Sequence, residues 1–303
     1  MELRHLRYFI VVAEERHFTR AAERLGIGQP PLSLQIQRLE REIGAQLFRR
    51  LSRGVELTEA GVLLLDNARQ ILALVERTRA DVQRLSRGEI GQLRLGFAGA
   101  TYFQPLVPAI IREYRSRQPD VVLSPEQSNT PALVDGLLEG RIDAAFIRPP
   151  IVRADELEVE LLVKEDMVAV LPHTHPLAQS GASVSLSALA SETFILFPRA
   201  IGAGLYDAVT SACQRAGFMP MLGQEAPQIT SIVPMVGAGF GVSIVPRSTS
   251  QIQTDEVVYL PIAGDAPQAP ISLAWRRHDA SPVVRRFLAV ARQMARDWRK
   301  AQR

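Results

Sequence analysis

The chain has 303 residues, 47% of them apolar and 22% charged, with a net charge of +3 and a single cysteine, Cys213. That length predicts two or three domains, the composition excludes a disordered or fibrous chain, and one cysteine excludes an internal disulfide. No run approaches the roughly 18 apolar residues of a membrane span, and the charged opening MELRHLRYFIVVAEERHF lacks the pattern of a secretory signal, so the cytoplasm is the expected compartment.

Charge is unevenly spread. Through Gly88 there are 15 Arg against 11 Asp and Glu, and residues 16–53 hold eight Arg against three Glu. A basic amino-terminal module followed by a near-neutral remainder is expected. Leu3, Leu6, Phe9, Ile10 and Ala13 predict a first helix over residues 3–15. Thr19 is the expected N-cap of a short second helix, with Gly26 as the turn that follows. In GIGQPPLSLQIQRLEREIG, Leu32, Ile36, Leu39 and Ile43 step by four, three and four and form one apolar stripe. Pro30 and Pro31 mark the start of this third helix, because only a first turn tolerates them. Pro30, Leu34, Gln37 and Arg41 then point outward. Two helices about a Gly turn, the second with a polar outer face, form a helix-turn-helix.

LFRRLSRGVELTEAG reads as two short strands about the Arg53-Gly54 turn, either a wing on that motif or an ordinary surface hairpin. A long helix follows, capped by Thr58 and stopped by Gly88. Its stripe of Leu64, Ala68, Ile71, Val75, Thr78, Val82 and Leu85 keeps a heptad repeat. So small a domain has too little surface to bury it. Pairing with a second copy is the simplest outcome, and packing on the chain's own carboxy-terminal domain is the other.

From Gly91, β-prone runs alternate with helical ones: LRLGF, LVPAIIREYRSRQP, VVLSPEQ, PALVDGLLEGRI and DAAFI. This order predicts a parallel, doubly wound α/β sheet. A second series follows from Lys164, and Ile271–Arg277 and the segment after Ser281-Pro282 add a strand and a final helix. Two such units joined by two crossings leave a cleft, with ligands expected at strand ends beside helix N-termini.

With these elements placed, the chain resembles the LysR-type transcriptional regulators over essentially its whole length. The residues carrying the resemblance are those from Met1 to Arg50, LTEAG after the wing, GRIDAAFIR, HPLA at His175–Ala178 and GAGFGVSIVP at Gly237–Pro246. MELRHLRYF, QPPLS and EGRIDAAF look most like the subgroup controlling catabolism of aromatic acids and muconates. The resemblance implies a winged helix-turn-helix at residues 1–58, a dimerising linker helix at 59–88 and a periplasmic-binding-protein-like effector domain at 89–303. Within the last, subdomain I covers about 91–163 and 267–303, and subdomain II about 164–266. It implies a homotetramer built as a dimer of dimers, acting as an activator, with RNA polymerase as a further partner. One departure is Leu34, where many members carry Arg or His.

On the recognition helix Leu34 faces thymine methyls or is a stray surface apolar residue. Gln29, Pro30, Pro31, Ser33 and Gln37 sit at base edges in this reading. Thr19, Arg20, Arg49, Arg50, Ser52 and Arg53 hold phosphates, while Arg38 and Arg41 rank below them because pairing with Glu42 or Glu40 on their own helix is the alternative. By position the family's effector pocket maps to Ala100, Thr101, Asn129, Thr130 and Arg148 on one wall. The other wall maps to Arg199 to Leu205, with Arg199, Gly202 and Leu205 singled out, and to Gln228, Ile229 and Thr230. A small anionic effector, an aromatic acid or muconate, would meet helix N–H groups, the Thr130 hydroxyl and the Arg148 guanidinium. The alternative for Arg148 is a structural ion pair at the hinge.

No nucleophile, base and acid set is present, so no enzyme activity and no cofactor is expected. His173 and His175 lack the further ligands of a metal site. GAGFG lacks the third glycine and the acidic residue of a dinucleotide loop. A solute-binding protein fits the carboxy-terminal part alone. The basic module argues against it.

Overall fold

A computed structural model describes residues 1–151, 154–180, 182–279 and 281–302. The chain divides into two compact units, residues 1–84 and 85–303.

The first unit contains α1 (Leu3–Glu15), α2 (Phe18–Leu25), α3 (Gln29–Ile43), β1 (Phe48–Arg50), β2 (Val55–Leu57) and most of α4 (Glu59–Ser86). Its core joins Leu6, Phe9 and Val12 to Ala21 and Ala22, to Leu32, Ile36 and Leu39, and to Leu47, Phe48 and Val55. Burial of these stripes, rather than propensity alone, holds helices this short. Leu3 and Ile43 belong to the predicted stripes but are exposed. His5 is buried in α1 instead, its Nε2 2.9 Å from Gln35 Oε1. The cap of α2 is His17, not Thr19: the His17 ring accepts from the Thr19 N–H at 3.2 Å. Phe18 opens the helix because its ring packs edge-on against Phe48, 6.0 Å away.

Between α2 and α3, Gly26 takes φ +65°, a conformation that L side chains rarely adopt. Gly28 precedes α3, and Pro30 and Pro31 occupy its opening turn. β1 and β2 pair antiparallel, Arg49 opposite Glu56. This hairpin is tied back to the turn after α1: the Val55 N–H donates to the Arg16 carbonyl at 2.9 Å. A Cβ on Gly54 would stand only 2.5 Å from the same oxygen.

Thr58 caps α4, its hydroxyl accepting from the Gly61 N–H at 3.0 Å. The heptad stripe then divides. Ala68 is fully buried in the unit's own core, with Leu64 and Ile71 partly buried against it. Arg69 and Glu76 reach Glu14 and Arg7 at 3.3 and 3.6 Å. The expectation that this small domain cannot bury the stripe therefore fails for the first half of α4, because α4 packs back on α1. Farther along the stripe, Val82 and Leu85 are 61% and 54% exposed.

The second unit is built from β3 (Gly91–Ala98), α5 (Leu106–Arg117), β4 (Val121–Ser128), α6 (Thr130–Leu138), β5 (Ala144–Ile147), β6 (Leu157–Pro172) and α7 (Pro176–Ser180). There follow β7 (Thr193–Phe194), α8 (Ala203–Arg215), β8 (Met221–Leu222), α9 (Ile229–Gly237), β9 (Ser243–Pro246), β10 (Val257–Pro261), β11 (Gln268–Arg276) and α10 (Pro282–Ala301). Seven strands form one sheet in the order β10-β6-β11-β5-β3-β4, with β9 also on β6. β3 is parallel to β4 and β5, as the alternating pattern predicts. β11 is antiparallel to both β5 and β6, so the sheet is mixed. The reason lies in β6, a single 16-residue strand. Its first part pairs with β11 and its last part with β9 and β10. The chain crosses from one α/β half to the other inside β6 and returns antiparallel to it through β11.

One face of the first half packs Leu93, Leu95 and Phe97 against Leu106, Ile110 and Tyr114 of α5 and Phe287 of α10. The opposite face meets α6 through Leu133 and Leu137. The second half has its own core around Met167–Leu171, Phe194, Ile232 and Val245.

Candidate functional site

On α3 the buried Leu32, Ile36 and Leu39 fix the helix's rotation, and the opposite side presents Gln29, Pro30, Pro31, Leu34 and Gln37 to solvent. Leu34 is 43% exposed, and Ser33 is half-buried at the edge of the row. Thr19 and Arg20 are exposed in the first turn of α2, where Arg20 donates to the Glu15 carbonyl at 2.6 Å. In the hairpin Arg49 pairs with Glu56 at 3.1 Å. Arg50, Ser52 and Arg53 are exposed at or beside its turn. Arg50 and Arg53 have no acidic partner among the described residues.

The alternative pairing of Arg41 with Glu40 does not form. The Glu40 carboxylate accepts from the backbone N–H groups of Leu47 and Phe48 at 2.8 and 3.2 Å. Glu42 takes the amino terminus of Met1. Arg41 rests on the Gln37 carbonyl of its own helix, at 3.4 Å.

In the second unit a cavity of about 370 Å³ opens where the carboxyl ends of β3, β4 and β5 face the starts of α8 and α9. One wall is Ala98, Gly99, Ala100, Gln127, Ser128, Asn129, Thr130 and Arg148; the other is Phe197, Ile201, Gly202, Leu205, Pro227, Gln228, Ile229 and Thr230. Its polar groups are mainly amides and hydroxyls at helix starts. Asn129 caps α6, its Oδ1 accepting from the Ala132 N–H at 2.9 Å. Gln228, the residue before α9, makes no side-chain cap, which leaves the start of α9 open to an anion.

Arg148 is buried, and its guanidinium is already engaged. Nη2 meets Glu165 at 3.1 Å and Nη1 donates to the Pro270 carbonyl at 3.4 Å. Burial pulls its pKa below the usual arginine value, against the opposing pull of Glu165. Glu165 also accepts from Ser248, from its N–H at 2.9 Å and its hydroxyl at 3.0 Å. This cluster joins β5, β6, β11 and the turn after β9. Thr130 holds the other end of the Arg148 backbone, its hydroxyl 3.4 Å from the Arg148 N–H.

Of the residues the sequence singled out, Ala100, Asn129, Thr130, Arg148, Gly202, Leu205, Gln228, Ile229 and Thr230 come together here. Thr101 and Arg199 do not. The tight turn after Ala100 sends the Thr101 side chain into the interior, fully buried. Arg199 is exposed, and both its Nε and its Nη2 lie 2.7 Å from the Asp207 carboxylate. The lining that the sequence left unassigned includes Gln127, Ser128, Phe197 and Pro227, while Ile201 falls within the expected segment 199–205. Gly202 carries a readable signal, since a Cβ there would meet the Phe197 ring at 2.6 Å.

Elsewhere His173 and His175 pair separately with Glu256 and Glu192, at 3.6 and 3.3 Å. Burial pushes the Cys213 thiol up to about 11, which leaves it protonated and unreactive at neutral pH.

Residues 3–62 match the family model described as bacterial regulatory helix-turn-helix protein, lysR family, and residues 86–296 match that of the LysR substrate binding domain. The uncharacterized HTH-type transcriptional regulator YnfL of Escherichia coli (strain K12) is 42% identical over 288 residues, 95% of this chain and 96% of that protein. The crystal structure of full-length CbnR complexed with its target DNA superposes with a TM-score of 0.85 at 30% identity, covering 97% of this chain and 100% of CbnR. The BenM effector binding domain with its effector benzoate has a TM-score of 0.60 at 30% identity, covering 67% of this chain and 91% of that one.

Proposed function

This chain belongs to the LysR family of bacterial helix-turn-helix regulators, a DNA-binding transcriptional regulator and not an enzyme, and we propose that α3 reads its operator while the cavity takes a small carboxylate effector. The exposed row of α3 carries the first part of the reading. Gln29, Ser33 and Gln37 offer hydrogen bonds to base edges and Leu34 an apolar contact for thymine methyls. Pro30 and Pro31 shape the entry of the helix. Thr19, Arg20, Arg50, Ser52 and Arg53 hold phosphates and set register, and Arg49 joins them by exchanging Glu56 for a phosphate. Leu34→Ala tests this by selection from randomised operators: preference should relax at particular A·T positions with nonspecific affinity intact. An unchanged preference makes Leu34 an ordinary surface residue.

The effector is a small anion, with an aromatic acid or a muconate as the first candidates. The BenM domain's effector, benzoate, supports that class. Because Arg148 is neutralised by Glu165, the open start of α9, the Thr130 and Thr230 hydroxyls and the amides of Asn129 and Gln228 do the recognising. Thermal-shift screening of aromatic acids and muconates tests it, since ligand at a hundred times Kd adds roughly 2.7 kcal/mol of stability. Thr130→Val should weaken the response to the ligand so found without touching DNA affinity. We place the protein in the cytoplasm, dimerised through the exposed half of α4 and assembled as a dimer of dimers that activates transcription with RNA polymerase. The domain limits that go with this reading are 1–58, 59–88 and 89–303.

A further inference from the structure

We propose that the outer face of α10 is a second duplex-binding surface, holding the phosphate backbone of DNA beyond the bases read by α3. It rests on the operator-reading role proposed for α3 and extends it to a part of the chain outside the helix-turn-helix.

α10 buries Val283, Val284, Phe287, Leu288 and Ala291, so its opposite side is fixed toward solvent. At about 100° per residue, Arg285, Arg292, Arg296, Arg299 and Lys300 fall within an arc of about 100° on that side. From Arg285 to Lys300 the stripe runs for about 22 Å. All five are exposed. α10 has six cationic residues and one acid, whereas the rest of residues 89–303 has fourteen cations and twenty acids. Positive charge is concentrated on this helix in an otherwise acidic unit.

Intramolecular pairing does not explain the stripe. Arg292 lies 2.7 Å from Glu160, and Arg299 donates to the Ala295 carbonyl of its own helix. Arg285, Arg296 and Lys300 have no side-chain partner among the described residues. Nor does the helix dipole explain it. Arg299 and Lys300 at the carboxyl end suit the dipole, but Arg285 stands at the opposite end, where an acid is favoured, and the first turn holds no acid. A row of exposed cations on a rigid helix, three of the five without a side-chain partner among the described residues, suits a linear polyanion, because each phosphate neutralised releases condensed counterions. Duplex DNA is the occupant argued for, since its phosphates complement the charge of the stripe and the chain belongs to a DNA-binding family.

The test uses the full chain carrying Arg285→Gln, Arg296→Gln and Lys300→Gln together, and a second variant with Arg285→Lys and Arg296→Lys. Binding is measured to a duplex trimmed to the bases read by α3 and to the same duplex with several turns of unrelated flanking sequence. The wild type and the Lys variant should gain affinity from the flanks and show the longer nuclease footprint. The Gln variant should bind the trimmed duplex equally well, gain nothing from the flanks, and lose up to about 3 from its salt slope on the long duplex. A Gln variant that gains from the flanks like the wild type overturns the proposal. So does one that keeps the flanking gain but alters sedimentation without DNA or loses transcription with RNA polymerase, which assigns the stripe to a protein partner. Failure of the wild type to bind even the trimmed duplex would instead defeat the α3 reading, and the proposal with it.

Discussion

Glu165→Gln should destabilise the larger unit by about 3–5 kcal/mol, the range for removing one member of a buried ion pair. The structure supplies the reason. The Arg148 and Glu165 side chains are 7% and 9% exposed. Gln keeps the shape but has one acceptor oxygen in place of two, so its NH2 faces either the Ser248 N–H or the Arg148 guanidinium, and the change removes the charge together with one accepted hydrogen bond. Arg148 then stays buried as a cation whose counter-ion is gone, held by the Pro270 carbonyl and at most the Gln carbonyl. For a unit of this size each kcal/mol shifts Tm by roughly 2–4 °C, so a fall of roughly 6–20 °C is expected. Both tryptophans, Trp275 and Trp298, lie in residues 85–303, so their fluorescence follows this unit alone in thermal and urea melts. Adding Arg148→Met to Glu165→Leu removes both charges and should recover most of the loss. A fall under about 1 kcal/mol for Glu165→Gln, the size of an exposed pair, would refute the reasoning and mean that the guanidinium is solvated.

Arg50→Ala or Arg53→Ala should weaken binding to specific and nonspecific DNA alike and lower the salt slope by about one, as read by titration at several salt concentrations. Val82→Asp, on the exposed half of α4, should reduce the sedimenting species and its cooperative operator binding with the melting of residues 1–84 unchanged; Ile71→Asp should also unfold that unit, since Ile71 packs on its core. Burial pushes the Asp143 carboxyl up, but hydrogen bonds from the Arg94 side chain and backbone and the charges of Arg94 and Arg276 outweigh it, and the pKa falls below its usual value. A depressed carboxylate contributes stability above its unfolded pKa that is lost as pH falls through the folded one. Asp143→Asn should therefore be less stable than wild type at pH 7, with the gap closing in urea melts below about pH 4.

Elements whose pattern is local were legible in the sequence. The stripe Leu32, Ile36, Leu39 fixed which side of α3 is buried, and with it the outward row. Gly26, Gly54, Thr58 and Gly88 marked the breaks. What escaped depends on tertiary contacts. Thr19 looked like a cap, but Phe18 is drawn into the helix by Phe48. The heptads of α4 looked uniform, yet α1 covers only the first half. Half of the cavity wall was reached through the family resemblance, which maps by position to residues such as Asn129-Thr130 and Gln228-Ile229, and no local pattern marks them as a wall. Arg148 stayed open between an effector contact and a hinge ion pair because its partner stands seventeen positions later, on a strand whose neighbours no local pattern specifies. Phe197 carries nothing in its residue type that separates a cavity wall from a core.

The cavity lining comes from four short stretches, at 98–100, 127–130, 197–205 and 227–230, with Arg148 alone between them. None belongs to β6 or β11, the long antiparallel pair that carries both halves. Recognition and scaffold are therefore separable in inheritance. Substitutions in these stretches can alter what the cavity accepts while the strands that carry both halves stay as they are. A duplicated gene could acquire a new inducer through a few changes at strand ends, and a laboratory library confined to those stretches would sample altered specificity with few variants lost to misfolding.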